Sequence, residues 1–179
     1  MTTRLYLDTS VLVSAFSAER SSVWAQALLS NAQYVIIVSD WAVTEFHASM
    51  HAKARRGELD QSTLAERMAT FRLAVSSVWV WQPVARADFA AASVYTEDLF
   101  ALSGGAATGQ TQVNISASRA KRAAAIVPWL RSADALHIAV AKSAKADGFA
   151  TLDQQQAAAV ALLGSKMAVV IDLDSSLAL

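Results

Sequence analysis

The chain has 179 residues, 54% of them apolar, which suits one domain spanning 1–179 around a sizeable core. With no cysteine, it has no disulfide staple, thiolate metal site or cysteine nucleophile, and the composition fits a reducing, cytoplasmic setting. Fifteen basic residues cancel fifteen acidic ones, so no global positive field draws a polyanion to it, and nucleic acid would have to be held by local basic groups or bound metal.

The opening MTTRLYLDTSVLV lacks the basic n-region, continuous apolar core and small-residue cleavage site of a signal peptide. No run of about 18 apolar residues occurs, so no membrane span or membrane partner is expected. Leu5 to Leu7 reads as a first strand running to Asp8, followed by a helix starting at Thr9-Ser10-Val11-Leu12. SSVWAQALLSN follows with helical spacing at Val23, Ala27 and Leu28. Tyr34 to Val38 (YVIIV) is a continuous β-branched run of the kind found when both faces of a parallel sheet are covered. AVTEFHASMHAKARRG then predicts a helix with basic residues in its last turn and Gly57 at its stop.

Asp60 to Ser76 is a long amphipathic helix candidate, Val78 to Trp81 (VWVW) a third strand, and Asp88 to Leu102 another helix. Ser103 to Ser118 is rich in Gly, Ser, Thr, Gln and Asn, and reads as a mobile surface loop. Its glycines do not open a helix after a strand, so they do not make a dinucleotide loop. Lys53, Arg55 and Arg56 form one basic cluster and Arg119, Lys121 and Arg122 another; each reads first as a solvated helix face. Ser132 is expected to cap ADALHIAVAKSAKAD, which ends at Gly148. Gly148 to Thr151 is a short strand candidate and Met167 to Ile171 (MAVVI) a last one. Strands alternating with helices predict an α/β fold, a three-layer α/β/α sandwich on a mostly parallel sheet.

The acidic residues fall at telling places. Asp8 ends the first strand, Asp134 lies in the first turn of its helix, and Asp153 follows GFAT and can open the next helix. In an open parallel sheet all three face the crevice at the carboxyl ends of the strands, where ligands bind. Glu45, in the first half of the helix after YVIIVSD, is within reach of the same edge. Any one of them is ordinarily a helix cap. Together they place carboxylates inside apolar runs, which is unfavourable unless a cation compensates. Mg²⁺ prefers oxygen ligands and retains waters, and such an ion held by carboxylates makes a nucleophile of bound water. The expectation is that the four share a cation; arginine or lysine neutralising them instead would collapse the nuclease assignment and leave a plain α/β binding domain.

On these segments the chain resembles the PIN-domain ribonucleases, and within them the VapC-type toxins of bacterial toxin–antitoxin pairs. The matching stretches are YLDTSVLVSAF, SDWAVTEF, RSADALHIAVAKSAKADGFATLD and the closing apolar strand, so the likeness spans nearly the whole chain. It implies a PIN-like fold and Mg²⁺- or Mn²⁺-dependent endonucleolytic cleavage of RNA at Asp8, Glu45, Asp134 and Asp153. It also implies auxiliary hydroxyls at Ser10 and Thr151, a cognate antitoxin and a homodimer, for which exposed apolar faces of the second and third helices are candidates. The region between the third strand and RSADALHIA is longer than in compact toxins, which leaves open a nuclease of RNA processing or decay outside any toxin–antitoxin pair.

Other signals point elsewhere. His47 and His51 share a helix face, but no zincin glutamate follows His47, and Glu45 points away from both, so packing or surface roles are expected. His137 reads as a satisfied core histidine. Trp24, Trp41, Trp79 and Trp81 read as core, leaving Trp129, beside the basic segment, as a candidate RNA or partner contact. A haloacid-dehalogenase-like phosphatase requires an aspartate where Ser10 stands, a phospho-receiver requires acids at Tyr6-Leu7, and a non-catalytic PIN-like interaction module would have lost its acids.

Overall fold

The computed structural model describes residues 2–102, 130–163 and 167–170. The predicted loop at 103–118, the basic residues Arg119, Lys121 and Arg122, and Trp129 lie outside the described residues.

Five strands form one parallel sheet: β1 (Thr3–Leu7), β2 (Tyr34–Ser39), β3 (Val80–Gln82), β4 (Gly148–Ala150) and β5 (Ala168–Val170). Their spatial order is β3-β2-β1-β4-β5, so β1 lies in the middle and the order reverses there. Seven helices accompany them among the described residues: α1 (Thr9–Phe16), α2 (Ser22–Leu29), α3 (Asp40–Arg55), α4 (Gln61–Ser77), α5 (Arg86–Leu102), α6 (Ser132–Ser143) and α7 (Gln154–Leu162).

Side-chain alternation along the strands divides the core into two layers. Leu5, Leu7, Ile36, Val38 and Ala150 face Val11, Leu12, Phe46, Met50, Met68 and Phe71 from α1, α3 and α4. Tyr6, Ile37 and Phe149 face the other way, against Ala92 and Leu99 of α5, Ile138 and Val140 of α6, and Val160 of α7. Both faces are covered, which explains why β1 and β2 read as unbroken apolar runs. The result is an α/β/α sandwich.

Local chemistry sets the helix ends. Ser39 accepts a hydrogen bond from the Ala42 N–H at the start of α3, and Asp60 from the Thr63 N–H at the start of α4. Gly57 stops α3 in the left-handed region, at φ 76°, where it lacks the Cβ that makes this conformation unfavourable. Close packing explains Gly148, because a Cβ there would sit 2.9 Å from Leu5 Cδ1.

Several expectations need correction. Ser132 begins α6 instead of capping it; Arg131 holds the cap position without a side-chain cap bond, and the helix ends at Ser143, short of Gly148. The third strand is displaced to Val80–Gln82, and Trp81 is 46% exposed on it, not buried. Trp24, Trp41 and Trp79 are partly buried against the core. The His47 ring packs edge-on against Phe46 and Phe71. Lys53 is bound to Glu19 and Glu58, and Arg56 to Glu58, so two members of this basic cluster are engaged within the chain.

Candidate active site

The strand order reverses at β1, and the carboxyl ends of β1, β2 and β4 surround that point, where open parallel sheets leave a crevice. Asp8 follows the last residue of β1 and caps α1, accepting the Ser10 N–H. It is 6% exposed. Its Oδ2 also accepts from the Ser10 hydroxyl and lies 3.2 Å from Thr151 Oγ1, just past β4. Thr151 has one proton and two acceptors, since Gln156 Oε1 is 2.7 Å away. Its oxygen accepts the Asp153 N–H, and Ser10 Oγ accepts the Leu152 N–H. The ends of β1 and β4 are therefore joined through hydroxyls.

Glu45 reaches the same edge from α3. Thr9 Oγ1 donates to its Oε2 at 2.6 Å, and His137 Nε2 lies 2.8 Å from that oxygen and 3.4 Å from Asp8 Oδ1. His137 is 1% exposed, and its Nδ1 is 2.9 Å from the Tyr6 hydroxyl, itself 2.7 Å from Ser39 Oγ. The tautomer protonated on Nε2 satisfies the whole chain: Ser39 donates to Tyr6, Tyr6 to Nδ1, and Nε2 to Glu45. Burial pushes the Tyr6 hydroxyl far above its ordinary value, so it keeps its proton. At Glu45 burial raises the carboxyl, but the hydrogen bonds from His137 and Thr9, with the charge of Arg131, outweigh it and hold the group below its usual value.

Asp134 and Asp153 sit at the first turns of α6 and α7. Asp153 caps α7 through the Gln155 and Gln156 N–H groups. Arg131 grips Asp134 with two bonds, Nε to Oδ2 at 2.8 Å and Nη2 to Oδ1 at 3.1 Å, and Nη2 also lies 3.3 Å from Asp153 Oδ2. The hydrogen bond to Asp134 raises the guanidinium's already high value further. Its charge is felt at Glu45, and Asp8 acts on it in turn, so the two halves form one electrostatic cluster.

The four predicted acids thus gather at one sheet edge, but as two pairs, each with its own nitrogen partner. The expectation of one shared cation meets an arginine already holding two of them. As the side chains stand, no three histidine, aspartate or glutamate groups among the described residues converge on one ion position. The donor set still suits a hard divalent ion: every ligand is a carboxylate oxygen, and one guanidinium with at most one imidazolium cannot neutralise four carboxylates. Asp8, Glu45, Asp134 and Asp153 are therefore the residues that would hold such an ion.

Sequence reasoning missed Thr9, Tyr6 and Arg131, and it set His137 aside as core. His137 is buried and satisfied, yet what satisfies it is the acidic site. Its position one turn after Asp134, on the same face of α6, was the available signal.

No protein-family model matches the sequence, and no curated protein matches it. Among solved structures, VapC20 from Mycobacterium tuberculosis, a Sarcin-Ricin loop cleaving toxin, aligns at 16% identity over 87% of this chain and 94% of its own, with a TM-score of 0.55. VapBC2 from Rickettsia felis, solved bound to a DNA fragment from its promoter, aligns at 12% identity over 94% of this chain and 98% of its own, with a TM-score of 0.51. The fold is PIN-like, shared with VapC-type toxins.

Proposed function

We propose that the chain is a divalent-metal-dependent endoribonuclease, the toxin of a toxin–antitoxin pair, with Mg²⁺ or Mn²⁺ as cofactor and a homodimer as its working form. The observation that carries this reading is the meeting of Asp8, Glu45, Asp134 and Asp153, from four separate elements, at the strand-order reversal. RNA as substrate is part of this reading, and the shared fold is consistent with it, VapC20 being by description a Sarcin-Ricin loop cleaving toxin. The likeness to VapBC2 supports a cognate antitoxin as partner. No helix among the described residues is long and apolar enough to cross a membrane.

Bound there, the ion supplies an activated water and charge neutralisation at the phosphodiester. The protein's own groups prepare the place. Ser10 fixes the rotamer of Asp8 by donating to Oδ2, beside Thr151 Oγ1, and leaves Oδ1 turned toward His137. Thr9 and His137 converge on Glu45 Oε2 and leave Oε1 for a further partner. Asp153 spends Oδ1 on the α7 backbone and presents Oδ2 to the cluster.

The test is cleavage of a structured RNA by the purified chain with Mg²⁺ or Mn²⁺, with EDTA as the control. Cleavage that persists in EDTA, or that Asp8→Asn leaves untouched, removes this reading. A second reading, a non-catalytic PIN-like module, has one observation in its favour: Arg131 pairs with two of the acids. Failure to bind Mn²⁺ in calorimetry would select it.

A further inference from the structure

Arg131 stands at its position against local preference. Cap positions favour short side chains that accept backbone N–H groups, and a positive charge at a helix N-terminus opposes the helix dipole. Arg131 makes no side-chain cap bond to α6. Its guanidinium instead folds over the first turn to Asp134 and across to Asp153, at the N-termini of two helices. The side chain is 73% exposed, whereas Asp134 beneath it is only 12% exposed. Three facts follow from that geometry. The guanidinium lies on the solvent side of the two carboxylates. It uses two of its nitrogens on them and keeps further N–H donors directed elsewhere. With its cation largely in solvent, the pair is more open to screening and exchange than a fully buried one, so a divalent ion can compete for the carboxylates.

We propose that Arg131 is an exchangeable cation of the site, bound by Asp134 and Asp153 until a divalent ion takes those carboxylates, and then available to an RNA phosphate. This rests on the metal-dependent nuclease reading and adds to it a competing partner and a substrate contact. The exchange keeps a cation on the two acids at each stage. Without the ion, the guanidinium offsets part of the repulsion between the two acids; with the ion, that role passes to the metal. The released guanidinium is a planar donor fork suited to phosphate oxygens, beside the edge where the scissile bond would lie. The chain as a whole has no excess positive charge, so a single cation at this rim counts for more than it would on a basic protein.

The experiment titrates Mn²⁺ alone into the full chain by isothermal titration calorimetry, for wild type, Arg131→Ala and Arg131→Lys. Removing the competitor is expected to tighten Mn²⁺ binding about fivefold in Arg131→Ala, with Arg131→Lys between. A second titration uses a 2′-O-methyl RNA oligonucleotide, which is not cleaved, in saturating Mn²⁺. Here Arg131→Ala is expected to bind several-fold more weakly, and its dependence of log K on log salt to flatten by about one unit. Mn²⁺ binding that is unchanged or weaker in Arg131→Ala, while wild type binds, overturns the exchange and leaves the nuclease reading standing. Tighter Mn²⁺ binding with an unaltered oligonucleotide salt slope overturns the phosphate contact. No Mn²⁺ binding by any of the three overturns the metal-dependent reading, and the exchange with it.

Discussion

The two halves of the acidic cluster are built differently. Asp8 and Glu45 are held by the buried Thr9, Thr151 and His137, the last backed by Tyr6 and Ser39, and by the half-buried Ser10. Asp153 is held by the α7 N-terminus, and one exposed arginine binds both it and Asp134. A buried network ties each carboxylate to the packing of the core, so its geometry lasts as long as the fold does. An exposed ion pair does not. The first half is architecture, and the second is adjustable.

The largest effect is expected where the first half meets chemistry. Asp8→Asn keeps the shape of the side chain and its capping oxygen, so the fold should survive, as circular dichroism and an unchanged Tm would show. Metal-dependent RNA cleavage should fall by more than the ~100-fold typical of losing a group behind a metal ligand. Retained cleavage would mean that the rigid half is only structural.

Next comes the chain behind Glu45. Tyr6→Phe removes the hydroxyl between Ser39 and His137 and leaves Nδ1 without its donor, in a fully buried place. The expected loss is about 1–2 kcal/mol in urea unfolding at constant m. His137→Leu should cost more, about 2 kcal/mol or above, because it strands both the Tyr6 hydroxyl and one side of Glu45. If either variant is neutral, the buried half is no more fixed than the rim.

A pH series tests the first half at Glu45. Glu45 titrates below its ordinary value of 4.5 in the folded chain. A carboxyl depressed on folding contributes stability that is present above about 4.5 and lost as pH falls toward the folded value. Metal-free protein should therefore lose stability on acidification through that window, and Glu45→Gln should flatten the slope there. An identical acid slope in Glu45→Gln would show that this carboxyl gains nothing from His137 and Thr9.

The same contrast explains what the sequence made legible. Asp8, Asp134 and Asp153 could be placed because strand ends and helix starts follow from apolar runs and turn chemistry, and those boundaries shift by only a residue or two. Ser132 was misjudged because capping preference favours serine, while the tertiary pull of Asp134 and Asp153 on the guanidinium puts Arg131 at the cap. His137 looked like core because it is core; only strand register reveals that Tyr6 of β1 hands it toward Glu45 of α3. Pairings between residues 131 or 92 apart in sequence carry no local signature. Trp81 was placed inside because it alternates with Trp79 in a run that reads as buried strand, yet β3 is an edge strand whose Trp81 side chain stays largely open.

The smallest expected effect is the most direct test of the division. Arg131→Ala deletes three hydrogen bonds, more than Tyr6→Phe does, yet its stability cost should stay under about 1 kcal/mol. The guanidinium side chain is 73% exposed, so water replaces it on the carboxylates it leaves. Nor are those carboxylates stranded, because each lies at the N-terminal end of a helix, where the dipole favours negative charge, and Asp153 keeps its two backbone N–H donors. The loss should also shrink at high salt, which screens an exposed pair and leaves a buried network untouched. Urea unfolding of Arg131→Ala and Tyr6→Phe at low and high salt measures both points at once. Equal costs for the two variants, both insensitive to salt, would show the arginine to be as much a part of the framework as the histidine.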